Sequence, residues 1–441
     1  MLILLKWDLC GIKPVFRQAK LPSYPSNIIM QTPNTTYKNT EIGSIPVDWE
    51  VKTLGEIATL ITKGTTPKKF SKTGINYIKI ECLEGNKINI EKCLFVDEIT
   101  NNTELKRSIL QEDDLLFAIA GATIGKCTIV TKEIIPANTN QALAIIRLPK
   151  GENKKYIFYF LKSVLMQKYV IDNIAGGAQP NLNLAQIGRF SFPIPPTLTE
   201  QTAIANALSD ADALINKVEK LITKKRNIKQ GAMQKLLQPK EGWEVKKLGE
   251  VIKKKQLGGN YHNSEVITDF PLIKMGNIQR GQISINKVEY VIENIKPDKK
   301  DKLFYGDLLF NTRNTLELVG KISIWRNELN EAYFNSNLMR LEFDENFISS
   351  NFFMNYLLNT RIFVAKLKDI AIGTTSVAAI YTRDLVKIEI SLPPLKTQIE
   401  IAQILSDMDL EIAGLEGKLS KYRAIKTGMM QNLLTGKIRL V

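Results

Sequence analysis

The sequence predicts an α/β (α+β) fold built as a pseudo-twofold internal repeat: two similar globular domains separated by two long helices that pair as an antiparallel coiled coil. Three observations predict it. The phrase WEVKTLGE at 49–56 returns as WEVKKLGE at 243–250, differing only at Thr53 against Lys247. The stretches after each phrase echo one another in order and approximate spacing. Residues 201–237 then align without gaps on 398–434, with 18 of 37 positions identical, which is far beyond chance. Self-similarity at a fixed offset marks a duplicated unit, and a length of 441 residues also favours two domains.

The elements follow in order. Residues 1–43 read as a poorly patterned extension, with LPSYPSN and QTPNTTYKNT as loop, or as a start upstream of Met30. The opening MLILLKWDLCGIK breaks at Lys6 and Asp8, too early for a signal peptide. The first globular domain spans 44–196. It carries NYIKIECLEGNKI (76–88), LQEDDLLFAIAGATIGK (110–126), NTNQALAIIRL (138–148), a helical run YIFYFLKSVLMQKYV (156–170) and FSFPIPP (190–196). The second domain spans 239–394. It answers with PLIKMGNIQRGQI (271–283), LFYGDLLFNTRNTLELVGK (303–321), NSNLMRLEF (335–343), FFMNYLLNTRIFVAKL (352–367) and IEISLPP (388–394).

Between and after them lie a first helix within 197–238 and a second within 395–441. In the first, Ile204, Leu208, Ala211, Ile215, Val218 and Ile222 step by 4, 3, 4, 3, 4. In the second, Ile401, Leu405, Met408, Ile412, Leu415, Leu419 and Tyr422 keep that spacing in register. This is an a/d heptad seam, which calls for a partner helix. TLTE (197–200) and TQIE (397–400) each offer a Thr-x-x-Glu capping box. Pro239 and Gly436 supply stop signals. Later turns of the first helix gather Lys217, Lys220, Lys224, Lys225, Arg226, Lys229 and Lys235, a solvated face that would also screen phosphates beside a duplex.

Composition narrows the function. The net charge of +15, from 60 Lys and Arg against 45 Asp and Glu, favours a polyanionic partner, nucleic acid before membrane. No apolar run approaches the ~18 residues of a membrane span. Cys10, Cys82, Cys93 and Cys127 show no CxxC spacing and His262 is the only histidine, so neither a zinc site nor a disulfide framework is expected. Reduced, packed cysteines point to the cytoplasm. No GxSxG, Walker lysine loop, HExxH or Rossmann GxGxxG unit is present. PIPP and SLPP lack the Asn or Asp that precedes Pro-Pro in amino-methylating enzymes. Asp113 and Asp114 in EDDLLF read as a turn into a buried strand rather than as metal ligands. The chain is therefore read as non-catalytic.

Binding residues are better represented. Loops in both domains carry Lys63, Thr65, Thr66, Lys68, Lys69, Asn138, Asn140, Gln141, Gln179 and Asn181, then Asn277, Gln279, Arg280, Asn311, Arg313, Asn314, Asn335 and Asn337. Arg and Lys pair with guanine, and Asn and Gln with adenine, in the major groove. Polar residues fill any loop, so it is the set in both domains that favours DNA.

TEIGSIPVDWEVKTLGEI (40–57), GATIGK (121–126), GGAQPNLN (176–183), the PIPP…EQ passage (193–201) and MQNLLTGKIRL (430–440) resemble specificity subunits of Type I restriction–modification systems. The resemblance runs from about residue 40 to the end. It implies two target-recognition domains, each reading one half of a split site in double-stranded DNA, joined by the two similar helices. It implies two methyltransferase subunits docked on this chain and a restriction and translocase subunit in the full complex. S-adenosylmethionine would bind the methyltransferase, not this chain. The second repeat departs at AIGTTSVAAIY (371–381), which lacks the Gln-Pro-Asn of GGAQPN. A free-standing DNA-binding or architectural protein is the alternative.

Overall fold

A computed structural model describes the backbone of residues 3–6 and 15–18, and residues 36–121, 123–174 and 181–440 in full. Cys10 and Gln179 lie outside the described residues. The chain divides into two compact units, residues 1–216 with 420–441, and residues 217–419. The unit boundaries therefore fall inside the long helices, not at the ends of the repeat.

The repeated phrase closes each domain. In the first unit its strand Glu50–Thr53 pairs antiparallel with Ser191–Ile194, the last strand before the long helix. In the second unit Glu244–Lys247 pairs in the same way with Glu389–Leu392. A single helical turn follows each strand, Leu54–Ile57 and Leu248–Val251, burying Leu54, Ile57, Leu248 and Val251. Thr53 Oγ1 accepts the Glu56 amide at 3.3 Å while the Glu56 carboxylate accepts the Thr53 amide, a complete capping box. Lys247 has no acceptor oxygen to offer, so only the Lys247 amide to Glu250 bond at 3.2 Å remains. The one difference in the phrase thus costs half of one cap.

Each unit holds a four-stranded antiparallel sheet in one order. In the first it is Cys127–Ile129, Leu115–Ala118, Leu143–Arg147, Leu60–Lys63; in the second Ile322–Ile324, Leu308–Asn311, Leu338–Phe343, Ile252–Leu257. The central strands are continuous apolar runs because both faces are covered. Leu115 and Phe117 enter a core shared with the helices, while Leu116 and Ala118 enter a separate core under the loops. Leu308 and Phe310 are divided from Leu309 in the same way. A smaller sheet lies beside that second core in each unit, with one antiparallel and one parallel pairing around Ile75–Ile78 and around Pro271–Ile273.

Buried charge is duplicated too. Asp114, 1% exposed, takes both Arg147 Nε and Nη2 at 2.7 Å, and Asp307 takes Arg340 Nη1 at 2.9 Å. Asp113 turns the chain at φ +72° and pairs with Lys154 at 2.8 Å. EDDLLF is a turn into a buried strand, and its two aspartates are occupied by cations.

Each apolar helical run is broken once, into Lys154–Leu161 and Val164–Asn173, and into Asn351–Leu357 and Arg361–Asp369. Ser163 and Thr360 cap the second piece of each pair. The long helices are Leu198–Leu236 and Leu395–Leu433. In the first unit Ile204, Ala205 and Leu208 near the start of the first helix share a core with Leu433 and Leu434 at the end of the second. In the second unit Met233 and Leu237 share one with Ile401, Ala402 and Leu405. Start meets end in each unit, which is antiparallel pairing. Of the seam, Ile204, Leu208, Ile215, Val218, Ile222, Ile401, Leu405 and Ile412 are buried, and Met408, Leu415 and Leu419 are half-buried. The outer seam positions pack into the domain cores as well as against a helix.

Three expectations are corrected. Tyr37–Thr40, read as loop, is a strand paired with Gly43–Pro46, because Gly43 at φ +110° closes a tight turn between them. Thr397 heads no capping box: Pro393–Pro394 starts the second helix at Leu395, and the Gln398 amide bonds Pro394 O at 3.1 Å instead. Of Thr197 and Glu200, only Thr197 caps, since the Glu200 carboxylate is taken by Arg439.

Candidate nucleic-acid interface

Loop segments far apart in sequence meet at the ends of the central sheets. In the first unit Gly64 lies so close to the Thr139 and Asn140 carbonyls that a Cβ there would overlap them. Gly64 and Thr65 donate their amides to Leu143 O and Thr139 O at 3.3 and 3.2 Å. Thr66 bonds Gln141, and Arg107 Nε donates to Thr65 Oγ1 at 3.2 Å. Lys63, Thr66, Lys68, Lys69 and Gln141 are exposed, with Thr65 and Asn140 half-exposed. The basic loop and the NTNQ turn therefore form one polar surface, joined by Arg107, which sequence reasoning missed.

The second unit repeats the arrangement. A Cβ on Gly258 would overlap the Phe334 and Asn335 carbonyls, and Gly259 bridges Asn335. Asn335 and Asn337 are half-exposed beside LGGNY, a segment the sequence marks only as loop.

A second meeting point lies one strand over. Arg313–Asn314 pairs with Ala378–Ala379, which pairs with Ile372–Gly373. Arg313 is exposed and Asn314 half-exposed. In the first unit Ala120 bridges Asn181, itself exposed, and Leu182 donates to Ile119 O at 2.8 Å, as Ile380 donates to Thr312 O at 3.0 Å. AIGTTSVAAIY keeps this backbone contact although it lacks Gln-Pro-Asn.

Three candidates belong to the fold and not to a surface. Asn138 is fully buried; its amide donates to Asn101 Oδ1 and Leu105 O, and its carbonyl accepts from Ser108 and the Thr139 amide. Asn277 is buried and ties Lys274 to Ser284 O and Lys287 O. Asn311 is buried in its strand, its carbonyl accepting the Arg313 amide at 3.2 Å. Side chains without access to solvent cannot read a base edge. Gln279 and Arg280 are half-buried in the hairpin Ile278–Ile283, where Gln279 accepts Lys321 Nζ at 3.4 Å.

The basic run on the first helix is likewise engaged in part. Lys225 pairs with Glu411 at 2.7 Å, Arg226 with Glu416 at 2.5 Å, and Lys229 with Asp409. These cations are paired across the two helices. Tyr356 completes the last cluster, donating to Asp409 Oδ2 at 2.7 Å, and Arg326 adds a 3.4 Å contact. The first unit has the same cluster from Tyr159, Asp212 and Lys426. Arg439 from the C-terminal tail grips Asp48 and Glu200 with two contacts each, 2.6–2.9 Å, and stacks over Trp49. Glu200 first, and then Asp48, hold its guanidinium in the charged form.

Among the described residues no cluster of His, Cys, Asp and Glu could hold a metal, and no helix is long and apolar enough to cross a membrane.

Residues 46–230 and again 240–421 match the family described as Type I restriction modification DNA specificity domain. The chain belongs to this family. The type I restriction enzyme MjaVIII specificity subunit of Methanocaldococcus jannaschii is 28% identical over 420 residues, covering 90% of this chain and 94% of that one. The EcoKI specificity subunit of Escherichia coli K12 is 23% identical, covering 90% of each. Among solved structures, a chain of a type I R-M system superposes with TM-score 0.53 at 16% identity, over 89% of this chain and 99% of that one. The Type-I restriction-modification S subunit from M. genitalium gives TM-score 0.51 at 16% identity, over 88% and 96%. The two DNA specificity domains coincide with the two copies of the closing strand pair, the four-stranded sheet and the buried Asp–Arg pair. This type I specificity chain therefore carries its recognition domain twice, on one scaffold with two sets of loops.

Proposed function

We propose that this chain reads a split site in double-stranded DNA, each domain binding one half, and that the helices set the gap between halves. The observation that carries the reading is the contrast within the repeat. Sheet order, Asp–Arg pair and Tyr–Asp–Lys cluster are the same in both units, and Asn140 answers Asn335, while the other polar residues at the strand ends differ: exposed Lys63, Thr66, Lys68, Lys69 and Gln141 in one, exposed Arg313 with half-exposed Asn314 and Asn337 in the other. A common scaffold with different tips suits two different half-sites.

We extend the reading by what the family resemblance implies. Two methyltransferase subunits dock on the helices and domains and carry S-adenosylmethionine; a restriction and translocase subunit joins the full complex; the assembly works in the cytoplasm. This chain contributes recognition and no chemistry. Copurification tests it. The tagged chain, coexpressed with its methyltransferase, should emerge with two methyltransferase subunits and bind one bipartite duplex above random DNA. Specific binding by the chain alone, with no subunit attached, would favour a free-standing DNA-binding protein.

A further inference from the structure

Most buried or half-buried cations of the second unit have carboxylate partners. Arg340 has Asp307, Arg326 and Lys229 have Asp409, Lys274 has Glu289 and Lys302 has Glu331. Arg280 and Lys321 do not. Arg280 makes one long bond, Nη1 to Gly320 O at 3.4 Å, and Lys321 one to Gln279 Oε1, also 3.4 Å. Burial lowers the pKa of each, and the charge of Arg280 lowers that of Lys321 further. Two like charges held near each other without a counter-ion would each be stabilised by an added anion.

Arg280 also lines a groove of about 590 Å³ that lies wholly within residues 226–416. Its other cations are Arg226 and Lys229, already paired with Glu416 and Asp409, and Arg361, exposed and with no ion pair among the described residues. The walls between them include the amides of Gln230, Gln282, Asn355 and Asn359. A polar wall with two unmatched guanidiniums suits a hydrated, tetrahedral phosphodiester better than the apolar face of a protein helix.

Among the described residues the first domain has neither guanidinium, and its half-buried Lys162 bonds Asn86 instead. Its matching six-residue hairpin, Leu83–Ile88, places Gly85 where Ile278–Ile283 places Arg280. Its helix after the Ser163 cap begins with Val164, where the helix after Thr360 begins with Arg361. Its hairpin instead sends Asn86 to Asp212 at 2.8 Å, filling the position from within the chain.

We infer that Arg280 and Arg361, the two unpaired guanidiniums of this groove, form a phosphate anchor of the second domain, gripping the DNA backbone without reading a base, and that the first domain lacks this pair. The inference rests on the DNA-reading proposal above. It gives the two half-sites unequal dependence on salt. Phosphate contacts release counterions, so each is worth a slope of about 0.9 in log K against log salt.

The test measures binding of the full chain, in complex with its methyltransferase, to its bipartite duplex and to a random duplex across a KCl series. Arg280→Gln and Arg361→Gln should each weaken both duplexes by the same factor and lower the salt slope by about 1. Arg280→Lys should keep the slope, and Val164→Ala in the first domain should leave it unchanged. Loss confined to duplexes altered in one half-site would overturn the anchor in favour of a base contact. An unchanged slope with loss of methyltransferase copurification would overturn it in favour of a protein contact, and no change in either would show solvated side chains. If the wild-type complex fails to prefer any duplex, the DNA-reading proposal falls, while the slopes on random DNA still decide the anchor.

Discussion

Lys426 reaches from the second long helix to Asp212 on the first, Nζ to Oδ1 at 2.5 Å, and Lys229 on the first helix reaches reciprocally to Asp409 on the second. A tyrosine of the adjoining domain donates to each aspartate, Tyr159 at 3.0 Å and Tyr356 at 2.7 Å. Each residue of one cluster lies 197 positions from its counterpart in the other. Each helix gives an aspartate to one domain and a lysine to the other, so the helices must resemble one another even though the loops need not. The identity of 201–237 with 398–434 has here a physical cause.

Removing an aspartate from such a cluster strands a half-buried lysine and a tyrosine hydroxyl. Asp212 and Lys426 are 16% and 15% exposed, so solvent screens the pair only in part. A double-mutant cycle on Asp212→Ala and Lys426→Ala should give a coupling of about 1–3 kcal/mol in urea unfolding. A coupling near zero would make the cluster a surface ion pair.

Arg439 should matter more. Glu200 is 1% exposed, and Arg439→Ala would leave it buried without a cation. The expected loss is about 3–5 kcal/mol, seen as earlier unfolding of the first unit in hydrogen exchange with the second unaffected. Arg439→Lys should recover only part, since an ammonium cannot make the paired contacts to both Glu200 and Asp48.

Arg313 and Asn138 separate reading from folding. Arg313→Ala, at an exposed position, should weaken binding by about 1–3 kcal/mol and relax one half-site only. Asn138→Ala should leave the recognised sequence unchanged and lower stability by about 1–3 kcal/mol, because it strands buried donors and acceptors. Equal weakening on every duplex would make Arg313 a phosphate contact.

These residues also show what could be read from the sequence. The duplicated phrase marked the start of each domain, but that its strand pairs with the last one before the helix came only from the structure, because the partner lies about 140 residues on. The 4–3 spacing announced the buried seam. Asn138, Asn277 and Asn311 looked like any loop asparagine, since residue type does not tell which face is covered; the partners of Asn138 at Asn101 and Ser108 lie 37 and 30 residues away. The basic helix run looked solvated because Asp409, Glu411 and Glu416 lie 180 or more residues on. Periodicity reports local burial, whereas charge pairing is settled by the chain's return.

The ruler can be tested by lengthening the helices. Because they pair, a single insertion breaks the register of Lys225 with Glu411 and Lys229 with Asp409. Four residues should be added to both, after Asn216 and after Leu419, at the unit boundaries. At ~1.5 Å per residue the added length is ~6 Å, close to two base pairs. The half-site bases should stay the same and the gap should grow by one or two base pairs. An unchanged gap at full activity would mean that the helices do not set it.

Two recognition domains on one chain call for two separate half-sites. Methylome sequencing of a host that expresses this chain with its methyltransferase reports the target directly. The expected result is a bipartite motif: two short defined sequences, a fixed gap of unspecified bases, and dependence of both halves on this chain. A single contiguous motif, or methylation that persists unchanged when the second domain is exchanged for another, would contradict it.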